Sequence, residues 1–272
     1  MDYDTLEVEI ADRIGILTFN RPKVLNAFDP VLIDETMAAV STLEADDRVA
    51  AIVVRGAGRA FSAGFDLKAG AATAGQRGPS EWRKVLEADF DFIMRFWDCP
   101  KPTVAAVHGY CIGGAFELSL ACDVTVAAQS TKFGAPEVKF GSGAVALLLP
   151  WIAGAKAAKE LLLTGDDQLS AERALALGIV NHVVPDGDEL ERALVIARAM
   201  AQAAPNAVRL TKAAINRSFD AMGLRAALAA ALELDISIEA SGGAERAEFD
   251  RLRREQGLQA ALAWRDVRGN AR

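Results

Sequence analysis

The sequence contains few of the residues on which many enzyme sites depend. Its 272 residues include 2 histidines and 3 cysteines, and no CxxC pair. An odd and sparse set of cysteines, here Cys99, Cys111 and Cys122, argues against a disulfide framework and favours buried thiols in a reducing compartment. A His-based zinc site or a Ser-His-Asp triad would have to use His108 or His182, and no recognisable motif surrounds either residue.

Targeting segments and an excess of positive charge are also missing. The opening stretch MDYDTLEVEI lacks the basic-then-apolar pattern of a signal peptide, and no apolar run reaches membrane-spanning length. There are 37 Asp and Glu against 30 Lys and Arg, which gives a formal net charge of −7. We therefore expect a cytoplasmic protein that binds neither membranes nor nucleic acid, while a local basic patch for a phosphorylated ligand stays compatible with this charge.

Hydrophobic periodicity predicts strands that alternate with helices through about residue 140. LEVEIADRIGILTF alternates like a strand pair with a tight turn around Ala11–Asp12, and VAAIVVRG, TVAAVHG and CDVTVAA predict buried strands. An α/β layer structure follows from this order. From about Glu189 the pattern turns helical, and the amphipathic tail from about Gly223 needs a buried partner, for which a neighbouring subunit is one candidate.

One carboxylate stands inside the apolar segment HGYCIGGAFELSLACD. A strand followed by a helix puts Gly113 and Gly114 at the helix N-terminus, where backbone N–H groups lack intrahelical partners. Glu117 lies three residues further on and shares a helix face with Gly114. The segment therefore predicts either a ligand-oxygen site beside a carboxylate or an ordinary strand–helix turn in which Glu117 complements the helix dipole.

Two further segments carry candidate chemistry. FGAPE sets Glu137 just past the next strand, and a strand-helix-strand path can bring it back towards Glu117. The alternative is that Pro136 opens a short helix, with the carboxylate in its first turn. AFSAGFDLK follows a buried strand, and Gly64 allows a turn that exposes the N–H of Phe65.

These segments, in this order, resemble the crotonase family, the enoyl-CoA hydratase/isomerase superfamily. The resemblance begins at NRPKVLNAF, runs through AFSAGFDLK, HGYCIGGAFELSLACD and FGAPEVKFG, and continues into AKELLLTGDDQLSAERALALGIVNHVV. It implies a crotonase-like spiral of ββα turns in residues 1–200 and a helical C-terminal trimerisation region in residues 201–272. It also implies a homotrimer or a dimer of trimers.

In this family, the backbone N–H groups at the positions of Phe65 and Gly114 form an oxyanion hole for a thioester carbonyl. Hydratases of the family carry glutamates at the positions of Glu117 and Glu137. The resemblance thus implies an enoyl-CoA hydratase, a lyase in which Glu117 handles the water and Glu137 the proton at C2. Neither a metal nor a separate cofactor is implied, because coenzyme A belongs to the substrate.

The resemblance also implies that the coenzyme A moiety of an acyl-CoA thioester lies along RPKVLNA and FDLK. Candidate residues for binding it are Lys23, Ala27, Asp66, Leu67 and Lys68. Arg21 is a further candidate for a phosphate, whereas Asp123 reads as structural. The loop Ala69–Ser80 lacks large side chains, and its composition suggests mobility.

The same residues also bear on the other activities of the family. A dehalogenase needs another carboxylate after Glu137, and no Asp or Glu occurs from Val138 to Lys159. Double-bond isomerisation needs only one carboxylate, so it stays the alternative, together with a non-catalytic acyl-CoA-binding member. One departure weakens the inference about the substrate: GSGAVALLLPWIAG, residues 141–154, replaces the usual glycine-rich run, and its bulky Leu147–Trp151 either reshapes the acyl pocket or packs away from the site.

Overall fold

Two β-sheets organise the chain. The computed structural model describes residues 3–68 and 77–270 (for 268–270 the backbone only). The strands are β1 Leu6–Ala11, β2 Ile14–Phe19, β3 Ala51–Gly56, β4 Thr103–Val107, β5 Tyr110–Ile112, β6 Val124–Ala128, β7 Lys132–Gly134, β8 Leu169–Ser170 and β9 His182–Val184. The larger sheet has the order β1-β2-β3-β4-β6-β9 and is parallel from β2 onwards, and the smaller has the order β5-β7-β8.

Helices separate these strands and then make up the C-terminal part of the chain. They are α1 Pro30–Ala45, α2 Pro79–Asp98, α3 Gly114–Ala121, α4 Leu149–Ile152, α5 Gly154–Thr164, α6 Ala171–Ala176, α7 Glu189–Gln202, α8 Pro205–Ala221, α9 Leu224–Ser241, α10 Ala244–Gln256 and α11 Leu258–Asn270. A 3-10 turn covers Glu137–Phe140. The predicted α/β order and the helical character from Glu189 onwards are both confirmed.

The hairpin at the N-terminus turns one residue later than predicted. β1 and β2 are antiparallel, and Ala11 pairs with Ile14 across the turn. Asp12 and Arg13, the two linking residues, have φ of 51° and 66°. Two left-handed residues in succession make the turn whose twist matches that of a hairpin, and a short polar residue such as Asp adopts this conformation more readily than most.

The continuous apolar strands are buried on both faces. In β3, Ala51 and Val53 face α7, whereas Ile52 and Val54 belong to the main core on the opposite side. Because side chains alternate across a strand, a sheet covered on both faces needs an apolar residue at every position. This explains why VAAIVVRG reads as an unbroken apolar run.

The apolar stripe of the C-terminal tail is covered largely within the same chain. Leu224, Leu228, Leu232 and Ile236 of α9 are buried in the main core, where α9 packs against α2. The neighbouring subunit that was a candidate for covering this stripe is therefore not needed for it. Other apolar side chains of α8 and α9 stay exposed: Leu210, Ile215, Leu234 and Ile238. Assembly into trimers or hexamers stays a prediction.

The last two helices fold back over the 3-10 turn that carries Glu137. Phe140 of this turn stacks on Phe249 of α10, with ring centroids 4.9 Å apart. Ala261 of α11 belongs to the same buried cluster, and Leu67 packs against it. These contacts tie α10 and α11 to the segments that were predicted to bind the substrate. The division at residue 200 stays a prediction, and α7 runs through that position.

Of the loop Ala69–Ser80, for which mobility was predicted, residues 69–76 lie outside the described part of the chain. The remainder forms the start of α2. The carboxylate of Glu81 accepts a hydrogen bond from the backbone N–H of Gly78 at 2.8 Å, and Pro79 occupies the first helical position. Both features are ordinary signals for the beginning of a helix.

Candidate active site

A cavity of about 920 Å³ opens between the end of the smaller sheet, α2, α9 and the last two helices. Apart from Arg21, it collects every site residue that was predicted from the sequence. These are Lys23, Ala27, Phe65, Asp66, Leu67, Lys68, Gly114, Glu117 and Glu137. Neither histidine lines this cavity, and the three cysteines are buried and unpaired.

Two backbone N–H groups are available at its wall. Gly64 has a left-handed φ of 82°, and a Cβ built on it would lie 3.1 Å from the nitrogen of Gly114, so the two loops are in contact. Gly113, with a φ of 61°, donates its N–H to the carbonyl of Gly134 at 2.8 Å. In the described part of the chain no group accepts a hydrogen bond from the N–H of Phe65 or of Gly114. Both amides therefore remain free for a ligand oxygen.

The smaller sheet brings the two glutamates together. β5 leads directly into α3, and β7 leads into the turn of Glu137, so both carboxylates follow neighbouring parallel strands. Ile112 at the end of β5 pairs with Gly134 at the end of β7. The carboxyl ends of parallel neighbours lie at the same edge of a sheet. This explains how residues twenty positions apart reach one cavity. Hydrophobic periodicity could not predict these strands, because three residues are too few to show a period.

Glu117 is a buried acid with a fixed orientation. Its side chain lies in α3 with 6% of the residue exposed, and its Oε2 accepts a hydrogen bond from the N–H of Ala146 at 3.2 Å. Burial raises the pKa of Glu117 well above its usual value, and the nearby Glu137 carboxylate raises it further. Both effects make the ionised form of Glu117 less favourable.

Glu137 has one carboxylate oxygen close to the backbone and one without a partner. A Cβ on Gly113 would lie 2.5 Å from Oε1, so any larger residue there would displace this carboxylate. Oε2 is buried and accepts no hydrogen bond within the described residues. Burial raises the pKa of Glu137 to about 7, with a further contribution from Asp235, while its own backbone N–H offsets part of the shift. An acid with a pKa near neutrality suits general acid–base catalysis.

Arg21, a candidate phosphate partner, is bound elsewhere. Its guanidinium contacts Asp29 at 2.8 Å and Asp66 at 3.2 Å, and it also donates to the carbonyl of Ala27. It does not line the cavity. The Asp66 carboxylate also accepts the N–H of Lys68 at 2.9 Å, so it holds this loop of the cavity wall in place. These contacts show that Arg21 positions the loop, and its role as a phosphate partner stays a prediction.

The segment that replaces the usual glycine-rich run, residues 141–154, lies partly in the core and partly at the cavity wall. Leu148 and Leu149 are buried in the main core, and the Leu147–Trp151 stretch does not line the cavity. The bulky residues thus pack away from the site. The preceding residues do reach it, because Ser142, Gly143 and Val145 line the wall.

Hydrophobic periodicity did not predict that a group of charged side chains lines the cavity. Asp89 of α2 and Asp235 and Glu239 of α9 line it, together with Arg246 of α10 and Arg265 of α11. In the sequence these residues resemble the solvated faces of ordinary amphipathic helices. Only the packing of α9, α10 and α11 turns them inwards, so no local signal was available.

Asp123 has the structural role that was predicted for it. Its Oδ2 accepts hydrogen bonds from the N–H of Thr103 at 2.7 Å and from Nζ of Lys212 at 2.7 Å. In the described residues no group of three or more His, Cys, Asp or Glu side chains is arranged to hold a metal. Within residues 3–68 and 77–270, every helix falls short of the length and hydrophobicity needed to cross a bilayer.

Known proteins match both the sequence and the structure of this chain. The sequence model of the enoyl-CoA hydratase/isomerase family matches residues 9–245. A crystal structure of an enoyl-CoA hydratase/isomerase from Xanthobacter autotrophicus Py2 superposes with a TM-score of 0.96 at 47% identity, over 98% of this chain and 99% of that one.

Two curated relatives are named as probable enoyl-CoA hydratases. The Mycobacterium bovis protein is 38% identical over 81% of this chain and 84% of its own length. The Rhizobium meliloti protein is 38% identical over 83% and 87%. The crotonase-like fold expected from the sequence is confirmed by these similarities and by the structural match.

Proposed function

The chain belongs to the enoyl-CoA hydratase/isomerase family, and we propose that it adds water reversibly across the double bond of a 2-enoyl-CoA thioester. It is an enzyme of the enoyl-CoA hydratase type, a hydro-lyase. The observation that carries the specific reaction is the pair Glu117 and Glu137, two acids with raised pKa values in one cavity beside two free backbone N–H groups.

The free amides of Phe65 and Gly114 serve as the oxyanion hole. Attack of water at C3 moves electron density onto the thioester oxygen, which gains negative charge in an enolate-like state. Fixed N–H donors in a site shielded from water stabilise this charge without reorganising, and one such donor commonly contributes about 3 kcal/mol. Because the donors belong to the backbone, no side chain has to supply them. The neighbouring side chains only need to be small or to pack away from the donors.

The two carboxyl groups supply the proton transfers. Hydration removes one proton from water as its oxygen bonds to C3, and delivers one proton to C2. Burial raises both pKa values, and the Glu137 carboxylate raises that of Glu117 further, so the pair is suited to sharing one proton and to supplying a base and an acid together. We assign Glu117 to the water, because the Ala146 amide fixes its carboxylate, and Glu137 to the proton at C2.

Coenzyme A enters as part of the substrate along the segments of Lys23 and Lys68. Both lysines lie at the cavity wall, and Lys68 is exposed, as a partner of a hydrated phosphate needs to be. Ala27, Asp66 and Leu67 line the same wall and supply backbone contacts. Adding water is redox-neutral and the carboxyl pair handles both proton transfers, so the proposed reaction requires no separate cofactor.

The test is turnover of crotonyl-CoA, followed through the loss of ultraviolet absorbance of the conjugated thioester. We expect rapid loss with the wild-type protein and kcat values lower by about 10²-fold or more for Glu117→Gln and for Glu137→Gln. Both substitutions keep the size of the side chain and remove its ability to ionise. The exposed acid Glu233 offers a matched control, since Glu233→Gln leaves the cavity unchanged.

Product analysis separates the alternatives. A 3-hydroxyacyl-CoA product supports hydration. A 3-enoyl-CoA that is converted to its 2-enoyl isomer without hydration would favour isomerisation and contradict the proposal. If crotonyl-CoA and longer or aromatic 2-enoyl-CoAs all bind without turnover, the protein is a non-catalytic acyl-CoA binder.

A further inference from the structure

A buried carboxylate without a hydrogen-bond partner lies on the cavity wall and has no part in the reaction just described. Asp235 of α9 is 3% exposed, and neither of its carboxylate oxygens accepts a hydrogen bond from any described group. The amide of Gly143 lies nearby, and a Cβ there would come within 2.2 Å of Oδ1, but the two do not form a well-aligned hydrogen bond. A buried polar group in this state is costly, and most such groups in native proteins have a partner.

The neighbouring cations are engaged with other acids. Arg246 bridges Glu239 at 3.0 Å and Asp250 at 3.3 Å. Glu239 also accepts the hydroxyl hydrogen of Ser142. Arg246 and the Gly143 amide lower the pKa of Asp235 in part, but burial and the Glu239 charge dominate and raise it to about 7. The protein therefore supplies no donor for Asp235 from its own side chains in the described region.

Asp235 lies close to the reacting part of the cavity. It is among the charges that raise the pKa of both Glu117 and Glu137. Its Oδ1 lies beside Gly143, three residues before Ala146, whose N–H donates to the Glu117 carboxylate. Asp235 therefore shares the cavity wall with the residues that hold Glu117.

The wall around Asp235 is mixed rather than uniformly apolar. Trp82, Val85 and Leu86 of α2 line it, and Asp89 of the same helix stands among them. Burial raises the pKa of Asp89 to about 7, and the charge of Asp235 raises it further. A buried acid and a partly buried one on an otherwise apolar wall suit an acyl chain with a polar end better than a plain hydrocarbon.

We propose that Asp235 selects acyl groups that carry a hydrogen-bond donor, a hydroxyl or an ammonium group, beyond the reacting double bond. The inference rests on the proposed function in one respect, that the ligand is an acyl-CoA thioester. A donor on the acyl chain gives the buried carboxylate the hydrogen bond that the protein does not supply. An unsubstituted alkyl chain of the same length leaves the carboxylate unpaired, now without access to water.

The expected discrimination follows from that difference. Leaving a buried acceptor unpaired weakens binding by a factor on the order of 10 to 10². Sites that are built to hydrogen-bond a substrate group reject the analogue lacking it more strongly than apolar pockets reject an extra methylene. A preference of about 10-fold or more is therefore the smallest effect consistent with the proposed role of Asp235.

Binding of saturated acyl-CoAs tests this without depending on turnover, because saturated thioesters cannot be hydrated. The probes are butanoyl-, hexanoyl- and octanoyl-CoA, each compared by calorimetry with its ω-hydroxy and ω-amino derivative. We expect at least one substituted probe to bind about 10-fold or more tightly than its parent. If every substituted probe binds no better than its parent, the proposal is overturned.

Variants at one position show whether Asp235 causes the preference. Asp235→Leu should abolish it, and Glu233→Leu, on the exposed face of the same helix, should keep it. Asp235→Asn is nearly isosteric and guards against a folding defect: its amide oxygen still accepts from a hydroxyl, whereas the attraction to an ammonium group is lost. If Asp235→Leu keeps the preference, other residues cause it, and the proposal is contradicted.

The two derivatives identify the donor. Tighter binding of the ω-amino probes indicates a cationic acyl group, and tighter binding of the ω-hydroxy probes a neutral one. Failure of the hydratase proposal is recognised separately. A donor preference without turnover of the matching 2-enoyl-CoAs would leave the Asp235 assignment standing, whereas hydration of all chains without any preference would leave the hydratase standing alone.

Discussion

The contact between Gly114 and Phe65 offers a demanding test of the proposed oxyanion hole. A Cβ built on Gly114 would lie 2.4 Å and 2.6 Å from two carbons of the Phe65 ring. Carbon atoms in contact prefer separations of about 3.5–4.0 Å, so Gly114→Ala must displace the ring by about 1 Å. The φ of Gly114 is not left-handed, and the substitution therefore introduces no backbone strain of its own.

The displacement is expected to reach the second N–H donor. Edge-to-face contacts with Phe28 and Phe92, at centroid distances of 5.9 Å and 6.4 Å, limit where the Phe65 ring can move. The backbone of Phe65 must then shift with it, and a displacement of about 1 Å in a catalytic site costs about 10²-fold in rate. We expect Gly114→Ala to lower kcat by about 10²-fold to 10³-fold, the effect of losing one oxyanion donor.

The assay is hydration of crotonyl-CoA by Gly114→Ala, Phe65→Ala and the double variant. Removing the ring makes room for the new methyl group, so the double variant should be faster than Gly114→Ala alone. Overpacking should also lower the free energy of unfolding of the single variant by about 1–3 kcal/mol, which urea denaturation measures. An unchanged kcat for Gly114→Ala, or a double variant no faster than the single one, would refute the reasoning.

Three further predictions concern protonation and packing. Because burial raises the pKa of Glu137 to about 7 and raises that of Glu117 well above its usual value, kcat/KM should increase with pH through about 7 as Glu137 ionises, and a pH–rate profile of Glu137→Gln should lack this limb. Asp235 has a pKa of about 7 when folded against a usual 3.8, so the folded state binds an extra proton between these values and loses stability as pH rises through them. Asp235→Asn should therefore raise Tm at pH 8 and change it little at pH 4, and calorimetric scans with the opposite order would contradict this. Lys212→Met leaves Asp123 without its 2.7 Å partner and should lower the free energy of unfolding by about 3 kcal/mol in urea while kcat stays unchanged.

Several features of this protein could be predicted from local sequence. The type and order of the main strands and helices follow from hydrophobic periodicity, because a strand or helix exposes its pattern over a few neighbouring residues. The glycines of the two amide-bearing turns were identified for a similar reason: at Gly64 and Gly113 the backbone is left-handed, a conformation that disfavours other residues.

The small sheet and the charged wall were not predicted. Strands of two or three residues, such as β5, β7 and β8, are too short to show a period. The ion pair of Arg21 was not predicted either, because its partner Asp66 is 45 positions away and a single sequence carries no mark of that contact. The cover that α9 finds on α2 was left open for the same reason.

The sequence by itself therefore determined the main strands and helices, the two catalytic carboxyl candidates and the turns that expose the two amides. Tertiary structure decided which carboxyl groups share a cavity, because the register of β5 against β7 and the packing of α9 and α10 bring distant residues together. It also decided their protonation, since a pKa depends on burial and on neighbouring charges that only the folded chain assembles. Asp235 illustrates both: in the sequence it is one acid among many on an amphipathic helix, and in the fold it is a buried carboxylate on the wall of the site.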